Sequence, residues 1–212
     1  VKRFNVWSSA DNRGSDFVGP YKLALGGVVN APVALGQSIS AQVATTPGSK
    51  RDDLDELKYV SLSLAQEIGY EGTSVSFSAS KMLSKPGEEL TALDLESDSL
   101  SFDLAVRAKP YRSRDANLYL SFGATVKEGY TEALGSDLSE DRARQLKFAV
   151  DFQSIDRFLG ANSVSFGVNQ GLDILGATPK NKALQSRFDA RHNATWFNLD
   201  FSRVQSLAKL IR

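Results

Sequence analysis

An alternation of apolar and polar residues with period two, repeated along nearly the whole chain, limits this protein more than any other feature. Successive side chains of a strand point to opposite faces, so this period calls for extended chain, and no window of comparable length supports an amphipathic helix. Leu100, Phe102, Leu104, Val106 and Ala108 alternate with Ser101, Asp103, Ala105 and Arg107. Leu118, Leu120, Phe122, Ala124 and Val126 alternate with Asn117, Tyr119, Ser121, Gly123 and Thr125; Leu146, Phe148, Val150 and Phe152 with Gln145, Lys147, Ala149 and Asp151. Val164, Phe166 and Val168, then Val75, Phe77 and Ala79, then Ile39, Ala41 and Val43 repeat the pattern against Ser, Gly, Asn and Gln. Segments 4–10, 20–29 and 57–66 fit more loosely. The stretch 187–201 slips parity between Ala190/Ala194 and Phe197/Leu199/Phe201, which predicts a β-bulge near Trp196. The reading is all-β, with roughly ten strands and an eleventh beginning near Ala208.

Composition removes several function classes. Lys plus Arg and Asp plus Glu are both 25, so the net charge is zero and nothing points to nucleic acid. With no cysteine there is no disulfide, no thiolate metal site and no Cys nucleophile. His192 and Met82, one of each type, leave little for transition-metal ligation, and no cofactor is expected. Mean hydropathy is −0.24, and no apolar run approaches the 18 or so residues of a membrane helix. A membrane strand shows only alternate side chains to lipid, so this value is compatible with a barrel. No secretory leader opens the chain, so any targeting segment is expected to be removed or to lie outside it.

Two architectures alternate in this way: a soluble β-sandwich and a transmembrane β-barrel. Two features favour the barrel. The polar face is dominated by Ser, Gly, Ala and Asn, as in a crowded lumen, and holds few of the Lys and Glu of a solvent face. The connections also alternate in length: 30–36, 68–72, 110–114 and 155–160 are short, whereas 47–56, 85–94, 128–142 and 171–186 are longer and polar. Outer-membrane barrels have short periplasmic turns and longer extracellular loops, and strands of about ten residues span a bilayer when tilted. The expected orientation puts 11–18 and the four longer connections outside and the short ones in the periplasm.

The first forty residues carry a more specific pattern. Asp11-Asn12-Arg13-Gly14-Ser15, then Gly19 and Tyr21, then Ala31-Pro32-Val33-Ala34-Leu35-Gly36-Gln37 resemble the opening of the barrel in two-partner secretion transporters. These are the haemolysin secretion/activation proteins (ShlB/FhaC/HecB-like) of the BamA-like superfamily, whose barrel opens with a D-N-x-G-S turn and later has an N-P-L-G-L-G-D turn. Pro32, Leu35 and Gly36 match the second motif; Ala31, Val33, Ala34 and Gln37 depart from it. Asp11, Asn12 and Gly14 suit a tight hairpin connection, and Pro32 with Gly36 the next reversal. Gly160 through Gly171 and Phe201-Ser202-Arg203-Val204-Gln205-Ser206-Leu207 continue the resemblance, which therefore covers nearly the whole chain.

The resemblance implies a sixteen-stranded antiparallel up-and-down barrel preceded by two POTRA domains. Residues 1–212 would supply roughly ten of its strands, without the POTRA domains or the C-terminal strands. The family's V-R-G-Y/F motif is not in the sequence, so the residues most tied to transport cannot be carried over. An open ten-stranded sheet would leave two edges in lipid, so the chain is expected to be a piece of a longer barrel.

Asp103, Arg107, Lys147 and Asp151 fall on the small polar face. They are candidate pore-lining charges that contact an unfolded substrate or set ion conductance; the plainer reading makes them paired structural residues. His192, among Asp189, Arg191 and Asn193, reads as a hydrogen-bonded lumen or rim residue. No G-x-S-x-G and no suitably spaced His accompany the serines, so a hydrolase is not expected. Asp52-Asp53 with Asp55-Glu56, and Glu88-Glu89, read as solvated loop charge without EF-hand spacing. Of Trp7, Tyr21, Tyr59, Tyr119, Phe158 and Trp196, those near strand ends suit aromatic girdles. Gly26-Gly27 marks a kink or a close approach.

The resemblance implies export of a β-helical partner protein, such as an adhesin or haemolysin, through a bacterial outer membrane. The other partners expected are the lipid bilayer and lipopolysaccharide, and no nucleic acid. The alternatives are a passive channel or another barrel of the superfamily, and a soluble β-sheet binding module.

Overall fold

In the computed structural model, residues 2–15, 17–47, 56–69, 71–179, 183–187 and 193–205 are described. Ten strands form one sheet in strict chain order, every neighbour antiparallel. They are β1 (Phe4–Asp11), β2 (Lys22–Asn30), β3 (Gln37–Thr46), β4 (Leu57–Ile68) and β5 (Thr73–Ser84), then β6 (Glu96–Arg112), β7 (Ala116–Ala133), β8 (Ser136–Ile155), β9 (Ala161–Gly171) and β10 (Thr195–Val204). A single 3-10 turn, Glu88–Leu93, is the helical part of the described residues. This is the up-and-down connectivity of a barrel wall, with β1 and β10 as the edges of the described sheet.

The register keeps the two sequence faces apart across all ten strands. Ile39 lies opposite Leu64, Leu64 opposite Phe77, Phe77 opposite Leu104 and Leu104 opposite Ala124. Phe122 lies opposite Phe148, Phe148 opposite Val168 and Val168 opposite Phe197. The other parity gives the row Ser63, Ser78, Asp103, Thr125 and Gln145. The exposed face is the apolar one: Leu62, Leu104 and Phe122 are 52%, 50% and 53% exposed. Among the described residues Ala44 alone is a buried apolar residue, and no second layer covers the sheet.

This arrangement decides between the two architectures. A sandwich hides its apolar face against a second sheet. Each Leu, Val or Phe left in water forgoes roughly 1.5–3 kcal/mol, which a single polar-backed sheet cannot recover internally. Lipid removes that cost without a second layer.

Three of the four short connections are where the alternation put them, at 31–36, 69–72 and 156–160; the third in chain order is 113–115, because β6 runs on through Pro110, Tyr111 and Arg112. Three expectations are corrected. Residues 128–142 are not a polar loop: β7 runs to Ala133, β8 starts at Ser136, and Leu134 and Gly135 turn the chain at φ 53° and 71°. Positive φ at both central residues is the type I′ hairpin that matches strand twist. No bulge stands near Trp196, because β10 begins at Thr195 and pairs with β9 without a shift, while Ala190 lies outside the described residues. Register shifts fall instead between Ala108 and Tyr111 and between Thr131 and Glu132. The third correction is that Asp11, Asn12 and Gly14 do not make a tight hairpin. They open a ten-residue connection, 12–21, pinched where the Gly14 N–H donates to the Pro20 carbonyl at 3.2 Å. The absent side chain of Gly14 matters, since a Cβ there would stand 2.0 Å from the Gly19 oxygen. The expected eleventh strand at Ala208 lies outside the described residues.

β6, β7 and β8 have 17, 18 and 20 residues, nearly twice the nine to eleven or so needed to cross a bilayer. β9 pairs with β8 only over Gln145–Ile155, so the remainder of that β8 edge needs other partners. The connection after β9 supplies them. Leu172 N–H donates to the Arg144 carbonyl at 2.8 Å, Thr178 N–H to the Arg142 carbonyl at 3.0 Å, and Glu140 N–H to the Leu184 carbonyl at 2.7 Å. Covering the protruding edge removes a template for non-native strand pairing.

Candidate functional site

The polar face carries the chemistry. Asp103 and Arg107 are two steps of two apart on β6, and Lys147 and Asp151 stand likewise on β8, with β7 between them. The side chains meet across β7 as two ion pairs: Lys147 Nζ to Asp103 Oδ1 at 3.7 Å and Arg107 Nη2 to Asp151 Oδ2 at 3.5 Å. Small residues on β7 allow this reach, with Gly123 directly opposite Lys147 and Ser121 opposite Arg107. The carboxylates are also held by hydroxyls. Thr125 donates to Asp103 at 2.6 Å, Ser101 donates to it at 3.2 Å, and Ser165 donates to Asp151 at 2.6 Å. The Arg107 guanidinium lies 4.2 Å from the centre of the Tyr119 ring and the Lys109 ammonium 4.7 Å.

All four predicted charges therefore come together, in pairs of opposite sign. Three of them are nearly half exposed and Asp151 about a quarter, so each pair is worth at most about 1 kcal/mol. Their geometry orders a patch of alternating charge facing open space. Beside it, Ser74, Ser76, Ser78 and Ser80 of β5 face Arg107, Ala105, Asp103 and Ser101, forming a neutral hydroxyl wall. Such a surface presents hydrogen-bond donors and acceptors side by side along the polar face.

The aromatic residues are placed differently from a lipid girdle. Trp7, Tyr59, Tyr119 and Trp196 have the parity of the polar face. Trp7 lies directly across from Gly26, and a Cβ on Gly26 would fall 2.4 Å from the indole, so the expected close approach is real. Tyr21 precedes β2 and Phe158 lies in the β8–β9 turn, both exposed, as expected of residues at strand ends. Glu88 and Glu89 are exposed on the 3-10 turn. Glu56 is not solvated loop charge: it is 3% exposed beneath Gly19 and Gly87, while Asp52, Asp53, Asp55 and His192 lie outside the described residues.

The family-like turns are built around specific glycines. Gly36 has φ 75°, and a Cβ there would stand 2.9 Å from that of Glu67; its carbonyl accepts the Glu67 N–H at 2.9 Å. Pro32 sits one residue after Ala31, whose φ of 51° starts the reversal. Asp11 accepts the Arg13 N–H at 3.2 Å, fixing the entry to the first connection.

Sequence reasoning missed one polar centre. In the β8–β9 turn, Asp156 accepts from the N–H groups of Phe158 and Gly160 at 2.9 and 3.0 Å and from Arg203 at 2.5 Å. Arg203 also donates to Asn162 at 2.7 Å and Gln205 at 2.6 Å, tying β10 to that turn. The Asp-x-x-x-Gly spacing of 156–160 was the available signal.

The haemolysin secretion/activation protein ShlB/FhaC/HecB family model matches residues 1–210. Among solved structures, CdiB from Escherichia coli is similar with a TM-score of 0.78 and 14% identity, over 96% of this chain and 37% of that one. CdiB from Acinetobacter baumannii is similar with a TM-score of 0.63 and 14% identity, over 81% of this chain and 32% of that one. The chain thus spans about a third of the length of these proteins. No curated protein matches it by sequence.

Proposed function

The chain belongs to the haemolysin secretion/activation protein ShlB/FhaC/HecB family of the bacterial outer membrane, and we propose that it forms part of the wall of a pore exporting a large partner protein to the cell surface. The two-partner character of the family implies a secreted partner; a β-helical exoprotein such as a haemolysin or adhesin is the proposed cargo. The observation that supports this reading is the single-layer sheet with one continuous lipid-compatible face and one polar face of paired charges and serines. In a closed barrel that polar face lines the lumen, and Asp103, Arg107, Lys147 and Asp151 are the proposed pore-lining charges.

Charge and spacing support the lumen role. An unfolded chain crossing the membrane keeps its backbone groups hydrated or hydrogen-bonded, because an unpaired one in an apolar medium costs several kcal/mol. Hydroxyls on β5 and the ion pairs bridging β7 offer exchangeable partners at that depth. The long connections and the β7–β8 hairpin are proposed to face outward and the short turns the periplasm, where cargo arrives. The outer face of the barrel meets the bilayer and lipopolysaccharide, and neither nucleic acid nor a catalytic step has a part in the mechanism.

Asp103→Lys with Asp151→Lys in the full-length protein tests the lumen assignment. Planar-bilayer recordings should show selectivity shifted toward anions while membrane insertion stays normal. Lost insertion, with unchanged selectivity in the channels that remain, would show that the faces are inverted.

A further inference from the structure

A groove of about 730 Å³ runs over the apolar face of β1–β5. Leu23, Leu25, Val43 and Val60 line it, and Lys58 and Lys81 stand at its border. The register places Lys58 opposite Leu83 and Lys81 opposite Val60, so the two lysines are diagonal neighbours on one face of the β4–β5 pair. Charge on a lipid-facing surface is costly at mid-depth and tolerated near the interface. Lys58 is the second residue of β4, and Lys81 is three residues from the end of β5, both towards the long connections. They therefore mark a headgroup level.

Beyond them the same face opens into two polar clefts, of about 370 and 220 Å³. The first shares Lys58 with the groove, the second shares Lys81, and both include Asp98; Glu128 and Arg142 line the second. Lys81 is held at this junction by Asp98 at 3.0 Å. From β4 outward the surface thus offers an apolar trough, two ammonium groups, and then a space rich in carboxylates and cations. That order matches an amphiphile made of acyl chains, phosphate and sugar. A glycerophospholipid would use the trough and the lysines but leave the clefts empty.

We propose that this face is a binding site for lipopolysaccharide, with an acyl chain in the groove, a phosphate at Lys58 and Lys81, and saccharide in the clefts. The site rests on the orientation proposed above, because lipopolysaccharide occupies the outer leaflet. It would fix the rotational setting and depth of β4–β8 against the leaflet through which the long hairpins emerge.

Native mass spectrometry of the full-length protein in mild detergent tests it, with short-core lipopolysaccharide and phosphatidylglycerol as the titrated lipids. Lys58→Glu with Lys81→Glu, and separately the groove-filling Val43→Trp, should each lower lipopolysaccharide binding about tenfold, whereas Arg142→Glu in the second cleft should lower lipopolysaccharide binding and leave phosphatidylglycerol binding little changed. Heat-modifiable gel mobility checks that each variant is folded. Unchanged lipopolysaccharide binding in the folded Lys58/Lys81 and Val43 variants overturns the proposal, as does a cleft variant that leaves lipopolysaccharide binding unchanged or weakens both lipids equally. A cysteine at Ser136, labelled on intact cells by an impermeant thiol reagent, separates the two failures. Labelling there alongside unchanged lipopolysaccharide binding discards the site and keeps the orientation; no labelling discards both.

Discussion

Asp156 closes the β8–β9 turn with two backbone N–H groups and anchors Arg203 of β10. The hydrogen bond from Gly160, then those from Arg203, Asn162 and Phe158, hold its carboxyl down at about 2 against an ordinary 3.8. A depressed carboxyl stabilises the fold fully above the unfolded value and loses that contribution as pH falls towards the folded one. Thermal unfolding of the full-length barrel in detergent should therefore show an acid-sensitive limb between about pH 4 and 2. Asp156→Asn should flatten that limb, and an unaltered limb in the variant would remove Asp156 as its source. Residue-scale features of this kind were only partly legible in the sequence. Asp103, Arg107, Lys147 and Asp151 were placed on one face by parity alone, yet their pairing across β7 depends on register, which a single sequence does not state. Glu56 was misread because burial by Gly19 and Gly87 comes from two connections distant in sequence.

At the scale of elements, alternation identified the strands wherever one face is apolar, and failed where that condition ends. Past Val126, β7 continues with Glu128, Tyr130 and Glu132 on the formerly apolar face, so the hydrophobic signal stops while the strand runs on to Ala133. The β7–β8 hairpin was read as a loop for that reason. Within the band, Phe122 and Phe148 face each other across β7–β8 and are exposed, as a lipid contact requires. Phe122→Arg or Phe148→Arg should cost about 2–4 kcal/mol if the site lies near the midplane, measured by denaturant unfolding in liposomes. The same substitution costing nothing would mean that these rings do not meet hydrocarbon.

For the whole molecule, the proposed pore needs one sheet separating two solvents, lipid on one side and water on the other. Single cysteines placed one at a time in a cysteine-free version of the full-length protein, in intact outer membranes, read this directly. Ser78 and Ser121 have the polar parity, and their neighbours Phe77 and Phe122 the apolar one. Cysteines at 78 and 121 should react with a small water-soluble thiol reagent, and cysteines at 77 and 122 should stay unlabelled until the membrane is dissolved. Labelling at 77 and 122 with protection at 78 and 121, or equal labelling at all four, would contradict the pore.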